Sequence, residues 1–302
     1  MSPHPNTLHL EIATFTRSSA LLALKSGAQR IELCSHKDKD GLTPDVQDFL
    51  GVSSAAEVFR SGAREYDGGL GEESQGEEEL GKVDRDDKER VDGSLTVSFP
   101  KEINVMVRPI DNSCPGPGPN EDFRVGDEVF ERMKEEIRRF RSLGASGFVF
   151  GILKDSDVDV SGGNVKRGLI IDKERCAELI KIAREGKHGE NVRCTFHRAF
   201  DRIDVSRMEE QLEILITLNF TSLLTSGGAI SAIQGIPQIA KLVRQAAGRI
   251  DIIVGGGVRS ENLEGLMMGT GAGWFHSSAV TGEGENVDGH EVRSLREMLG
   301  RV

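Results

Sequence analysis

Ionisable side chains gather at the end of one apolar stretch of the chain. Cys194 and Phe196 alternate there with polar neighbours, which is the period of a β-strand. The stretch ends in three charged or titratable residues, His197, Arg198 and Asp201, and a helical pattern follows. An α/β barrel builds its site in this way, with reactive groups at the carboxyl end of a strand that leads into a helix.

The alternation of side chains along other apolar stretches points further ionisable groups in the same direction. Side chains at alternate positions of a strand share a face, and we call each such set a parity. The apolar parity packs under the helices, so the polar parity faces the interior or the C-terminal mouth of a barrel. The groups on that parity are Glu11, Glu32, Arg108, His197 and His276. With Asp201 they form the predicted catalytic set, in which His197 or Glu32 is the general base, Arg108 clamps an anion and His276 is the second acid/base group. The alternative is a buried ion-pair network in which Arg108 compensates Glu11 or Glu32.

Glycines and hydroxyl residues follow the last three predicted strands. Barrels frequently bind phosphate through the loops after strands seven and eight, and glycine lets the backbone approach an anion closely. These loops predict an anion site, whose candidate residues are Thr225, Ser226, Gly227, Gly256, Gly257, Ser277 and Ser278. The alternative is that the glycines serve tight turns only.

Eight strand signals position these residues, and each is followed by a helical pattern. The predicted strands are 8–13, 30–34, 103–109, 147–153, 192–197, 221–228, 251–258 and 274–279. The predicted helices are 18–27, 46–59, 127–143, 172–185, 206–218, 229–247, 261–268 and 289–302, the sixth with a break near Pro237. Eight such units predict a single (β/α)8 TIM-type barrel over 1–302. An open doubly wound sheet is the second option, but no GxGxxG turn follows the first strand.

An acidic stretch interrupts this pattern after the second unit. Residues 61–94 hold twelve carboxylates against five basic residues, with few apolar side chains. We therefore expect a disordered acidic insertion, with metal buffering as the alternative. The insertion accounts for most of the net charge of -11.

The composition restricts the partners and the compartment. An acidic chain argues against a nucleic-acid backbone as the main partner. The four cysteines are widely spaced and form no CxxC pair, which favours a reduced intracellular compartment. We find no signal peptide and no apolar run of membrane-spanning length, so a cytoplasmic protein without a membrane partner is expected. A homodimer is compatible with this fold.

A series of short motifs resembles the CutC copper-homeostasis family. The matching stretches are 10–12, 27–34, 41–44, 107–109, 195–201, 224–227, 255–258 and 275–279. The resemblance implies a (β/α)8 barrel, a cytoplasmic location and copper-ion binding, with Cys34 as the metal ligand. Some members carry a second cysteine where this chain has Ala13, and Cys114 in the divergent loop 110–120 is a candidate substitute.

Two further functions fit the residues without that resemblance. The first is a lyase- or isomerase-type enzyme that acts on a small anionic or phosphorylated metabolite at the C-terminal mouth. A covalent imine mechanism is not favoured, because the nearest lysine, Lys154, lies just past the fourth strand. The second is a barrel that has lost catalysis and serves as a binding scaffold.

Overall fold

A computed structural model describes residues 7–61, 102–109, 123–160, 164–186 and 189–300, with backbone only for 58–61, 157–160 and 164–167. The predicted acidic insertion, apart from its first residue, and the loop that carries Cys114 lie outside the described residues. The described strands are β1 His9–Thr14, β2 Arg30–Leu33, β3 Glu102–Met106, β4 Gly147–Phe150, β5 Leu153–Val160, β6 Asn164–Ile171, β7 Arg193–Phe196, β8 Ser222–Thr225, β9 Asp251–Val254 and β10 Trp274–Ser277. The described helices are α1 Arg17–Lys25, α2 Val46–Ser61, α3 Asp127–Ser142, α4 Lys173–Ala183, α5 Met208–Thr217, α6 Ala232–Ala246, α7 Ser260–Thr270 and α8 Gly289–Leu299.

Eight of the strands close into a parallel barrel. Their order around it is β1-β2-β3-β4-β7-β8-β9-β10, and β10 pairs with β1 to complete the ring. Helices follow the strands along the chain, so the predicted (β/α)8 barrel is confirmed.

The two faces of each strand differ as the alternation predicts. Leu10, Ile31, Val105 and Phe275 are fully buried on the outer face, in the core between strands and helices. The opposite parity supplies the barrel interior, where the buried polar side chains Glu11, Arg30, Glu32 and Asn104 lie. A closed barrel removes these interior side chains from water on all sides, so each polar group there needs a partner.

The helices differ from the predicted ones mainly at their ends. Thr16 caps α1 by accepting a hydrogen bond from the backbone of Ser19, whereas the sequence predicted a cap at Ser18. Helix α6 continues through Pro237 without the predicted break. Within the described ranges, none of the helices is long and apolar enough to cross a bilayer.

The structure contains a hairpin that the strand count omitted. Strands β5 and β6 pair antiparallel from Leu153↔Ile171 to Val160↔Asn164, between β4 and α4. They form a separate two-stranded sheet outside the barrel. The alternation of aspartate with valine over 157–160 and the Ser-Gly-Gly sequence at 161–163 are the sequence signals for such a hairpin.

Candidate functional site

Three of the predicted catalytic residues meet inside the barrel. Glu11 and His276 are register partners on β1 and β10, and Glu32 lies opposite Ala13 on β2. We call Glu11, Glu32 and His276 the interior triad, because one ligand atom from each lies within 4.8 Å of the other two. His276 Nδ1 is 2.7 Å from Glu11 Oε1, and both carboxylates are buried.

An arginine that the site prediction omitted neutralises this layer. Arg30 is fully buried and its Nε donates to Glu11 Oε2. Its guanidinium stacks 3.7 Å above the Trp274 ring, and Asn104 Nδ2 also donates to Glu11 Oε2 at 3.4 Å. Arg30 shares the interior parity of Glu32, so the alternation already contained the signal. The arginine that compensates Glu11 is therefore Arg30, not Arg108.

The two carboxyl groups titrate in opposite directions. Burial pushes the pKa of Glu11 upward, but Arg30 and His276 outweigh burial and lower it to about 2. Burial raises the pKa of Glu32, and the charge of Glu11 adds to that rise. For His276, burial lowers the pKa, but the two carboxylates outweigh burial and raise it. The layer thus holds a Glu11 whose pKa is lowered beside a Glu32 whose pKa is raised.

Two sulfur atoms lie one layer closer to the mouth. Cys34 and Met106 are each two residues beyond the register partners Glu32 and Asn104, and both are buried. They pack with Val149 in a small cluster that is separate from the main core, and we call Cys34 and Met106 the sulfur pair. Cys34 Sγ donates to Glu32 Oε1 at 3.4 Å, so the sulfur pair adjoins the interior triad. Burial and Glu32 raise the pKa of the Cys34 thiol well above its usual value.

Arg108 and His197 lie apart from the interior triad. Arg108 donates to the backbone oxygens of Lys39 and Gly41 and lies 5.0 Å from the centre of the Phe123 ring. The Phe123 ring is in turn 4.9 Å from the ring of His197. Burial, together with the Arg108 charge, lowers the pKa of His197 to about 3. His197 is therefore a neutral group that accepts a hydrogen bond at Nδ1 from Ala199 N, at 3.3 Å.

Asp201 lies in the segment after β7 and places its carboxylate against the loop that follows β8. Its carboxylate accepts hydrogen bonds from Ser226 N at 3.0 Å, from Gly228 N at 3.1 Å and from the Thr225 hydroxyl. Arg198 donates to Asp201 at 2.9 Å. Two residues of the predicted anion site, Thr225 and Ser226, are thus engaged by a carboxylate of the chain itself, next to Gly227.

Arg259 engages the hydroxyl groups at the end of β10 and directly after it. It donates to Ser277 Oγ at 3.1 Å and to Ser278 Oγ at 3.3 Å. Gly256 and Gly257 have φ angles of 105° and 82°, a backbone that favours glycine. The loop after β9 thus combines the Arg259 guanidinium with a glycine-rich backbone. Its anion-binding role stays a prediction.

The fold and this interior define a (β/α)8 barrel protein with ionisable and sulfur-containing side chains inside the barrel. The family model described as "CutC family" matches residues 98–281. The chain is 31% identical to the human "Copper homeostasis protein cutC homolog" over 274 residues, which cover 91% of this chain and 74% of that protein. It is 32% identical to a CutC family protein of Porphyromonas gingivalis, over 90% of this chain and 80% of the relative. This chain belongs to the CutC family.

Solved structures agree on the fold. A copper homeostasis protein CutC from Streptococcus agalactiae superposes with a TM-score of 0.60 at 24% identity, over 90% of this chain and 98% of that one. A 3-hexulose-6-phosphate synthase from Salmonella typhimurium gives a TM-score of 0.52 at 12% identity, over 97% of this chain and 99% of the synthase. At these identities both matches speak for the barrel alone.

Proposed function

We propose that this protein serves copper homeostasis by binding a copper ion inside the barrel, with the thiolate of Cys34 as its principal ligand. The names of the relatives support the role, and the sulfur pair supports the site. Cu(I) prefers soft donors such as thiolate and thioether. The observation that carries the proposal is that Cys34 and Met106 pack together in the barrel interior, toward its mouth.

The sulfur pair can provide a second soft ligand although residue 13 is alanine and not cysteine. Some family members carry a second cysteine at that position, and this chain has a methyl group instead. Met106 offers a thioether beside Cys34. Both side chains border Gly41, since a Cβ placed on that glycine would lie 3.3 Å from Cys34 Sγ and 3.8 Å from Met106 Cε. We infer that Met106, rather than a second cysteine, is the other soft ligand in this protein.

Copper binding at Cys34 requires the thiol to lose its proton, because only the thiolate is a strong ligand. The thiol already donates to Glu32 Oε1. Glu32 is therefore placed to receive the proton when the metal arrives. Each Cu(I) bound should release a proton from the thiol, either to Glu32 or to the solvent.

An anaerobic Cu(I) competition titration tests the proposal. The wild type should bind one equivalent, and Cys34→Ser and Met106→Leu should both lower the affinity, Cys34→Ser more strongly. Cys176→Ser and Cys194→Ser are matched controls, because both thiols are buried and belong to the main core. Affinity unchanged in Cys34→Ser would contradict the proposal, as would an equal loss in the two controls.

The enzyme hypothesis remains a separate candidate with its own test. The interior triad offers positioned acid/base groups, while Asp201 already fills most of the loop after β8. Thermal unfolding with inorganic phosphate and with sugar phosphates distinguishes the two functions. Stabilisation that disappears in Arg259→Gln would favour the enzyme, whereas stabilisation by Cu(I) alone would favour copper binding. The cytoplasm is the proposed location, since free thiols persist in a reducing compartment.

A further inference from the structure

We propose that the interior triad is a second metal site, which binds a divalent cation of the zinc and cobalt class independently of Cys34. The proposal goes beyond copper binding, since it concerns oxygen and nitrogen ligands one layer below the sulfur pair. Two carboxylates and an imidazole are ligands that Zn²⁺ and Co²⁺ accept, whereas Cu(I) favours sulfur.

The two carboxylates are oriented in the same manner. Glu11 Oε2 is held by Arg30 and Asn104, which turns Oε1 toward His276. Glu32 Oε1 accepts from Cys34, and its Oε2 is buried without a hydrogen-bond partner among the described residues. Each carboxylate thus has one oxygen fixed by a neighbour outside the interior triad. The other oxygen of Glu11 contacts His276, and the other oxygen of Glu32 has no partner among the described residues.

The unpartnered oxygen is the observation that points to a ligand. Glu32 is only 3% exposed, and a buried carboxylate oxygen without a partner is destabilising because it has lost its hydration. An acceptor of this kind is satisfied by a cation or by a donor. Thr195, also on the interior parity and fully buried, has an unpartnered hydroxyl oxygen as well.

The cation would replace a proton. In the absence of metal, His276 Nδ1 and Glu11 Oε1 share a hydrogen bond of 2.7 Å. A metal bound by both groups and by Glu32 requires a deprotonated imidazole nitrogen, so the bound cation displaces the proton from between them. Arg30 stays paired with Glu11 Oε2 and so fixes the orientation of that carboxylate, as outer partners of metal ligands usually do.

Anaerobic titration with Co²⁺, followed by visible absorption, tests this site on the full chain. We expect one equivalent to bind to the wild type with a spectrum free of thiolate-to-cobalt charge transfer, and Zn²⁺ to displace it. Glu32→Gln and His276→Gln should weaken Co²⁺ binding at least about tenfold. Cys34→Ser should retain it, and His290→Gln, an exposed position, is the matched control.

The outcomes separate this site from the copper site. Loss of Co²⁺ binding in Cys34→Ser, or a thiolate band in the wild-type spectrum, would overturn a distinct site. An unchanged affinity in Glu32→Gln and His276→Gln would also overturn it. If a variant does not fold, the wild-type spectrum still tests the proposal. A wild type that binds no Co²⁺, or that binds it through sulfur, contradicts the proposal. Failure of Cu(I) binding at Cys34 leaves these results unaffected.

Discussion

The buried ring of His197 should make this protein sensitive to acid. Its pKa is lowered to about 3 by burial and by Arg108, from the usual histidine value of 6.5. Below pH 6.5 the unfolded chain binds a proton that the folded chain refuses, so stability falls as the pH falls toward 3. A pH of 5 lies about 1.5 units below the usual histidine pKa. At 1.36 kcal/mol per unit, the free energy of unfolding should therefore be about 2 kcal/mol lower at pH 5 than at pH 8.

The variant His197→Asn removes the titrating ring but keeps an acceptor. The asparagine side-chain oxygen can replace Nδ1 as the partner of Ala199 N, because asparagine is a favoured residue at helix N-caps. Urea unfolding at pH 8 and at pH 5 gives the free energy of unfolding of each protein. The loss between the two pH values should be about 2 kcal/mol smaller in the variant than in the wild type.

An exposed histidine provides the control. His36 has a φ of 54°, which asparagine tolerates well, and its ring is exposed. His36→Asn should therefore keep the pH difference of the wild type. If His197→Asn shows the same loss of stability between pH 8 and pH 5 as the wild type, the ring is not held neutral and the reasoning is refuted.

Three further predictions concern stability and are measured by equilibrium unfolding. Arg30→Met leaves Glu11 buried without its main partner and should cost about 3–5 kcal/mol, whereas adding Glu11→Gln should restore part of the loss; no recovery would contradict the pairing. Asp201→Asn keeps one acceptor oxygen and loses the charge, which should cost about 2 kcal/mol; an unchanged stability would mean that the loop does not depend on this carboxylate. In α6, Gly235→Ala places a Cβ 1.7 Å from Ser226 O and should cost about 3 kcal/mol or more. Gly265→Ala, in the open surface of α7, should instead gain about 1 kcal/mol, and equal effects of the two substitutions would contradict the packing.

The fold followed from the sequence because the barrel strands are regular. Alternation within a strand fixes which side chains face inward, and it placed Glu11, Glu32 and His276 correctly inside the barrel. The same pattern fails where a strand stops. Arg108 lies two residues beyond the end of β3, and His197 lies one residue beyond β7. Past those two ends, loop packing rather than strand parity directs the Arg108 and His197 side chains.

Long-range pairings account for what the sequence did not reveal about the site. The loop after β8 looks like an open anion site when read alone, and only the fold brings Asp201 against it. Met106 was visible on the interior parity, but only the fold shows that it packs against Cys34 from another strand. The β5–β6 hairpin was missed because strands were expected only within the barrel.

Copper K-edge X-ray absorption of the Cu(I)-loaded protein tests the proposed function most directly, since it reports the atoms bound to the metal. The sulfur pair predicts two sulfur neighbours in the wild type, of which Met106→Leu removes one while the thiolate remains. Cys34→Ser should remove the short thiolate contact. A wild-type spectrum with nitrogen and oxygen neighbours only, or one unchanged in Cys34→Ser, would contradict copper binding by Cys34.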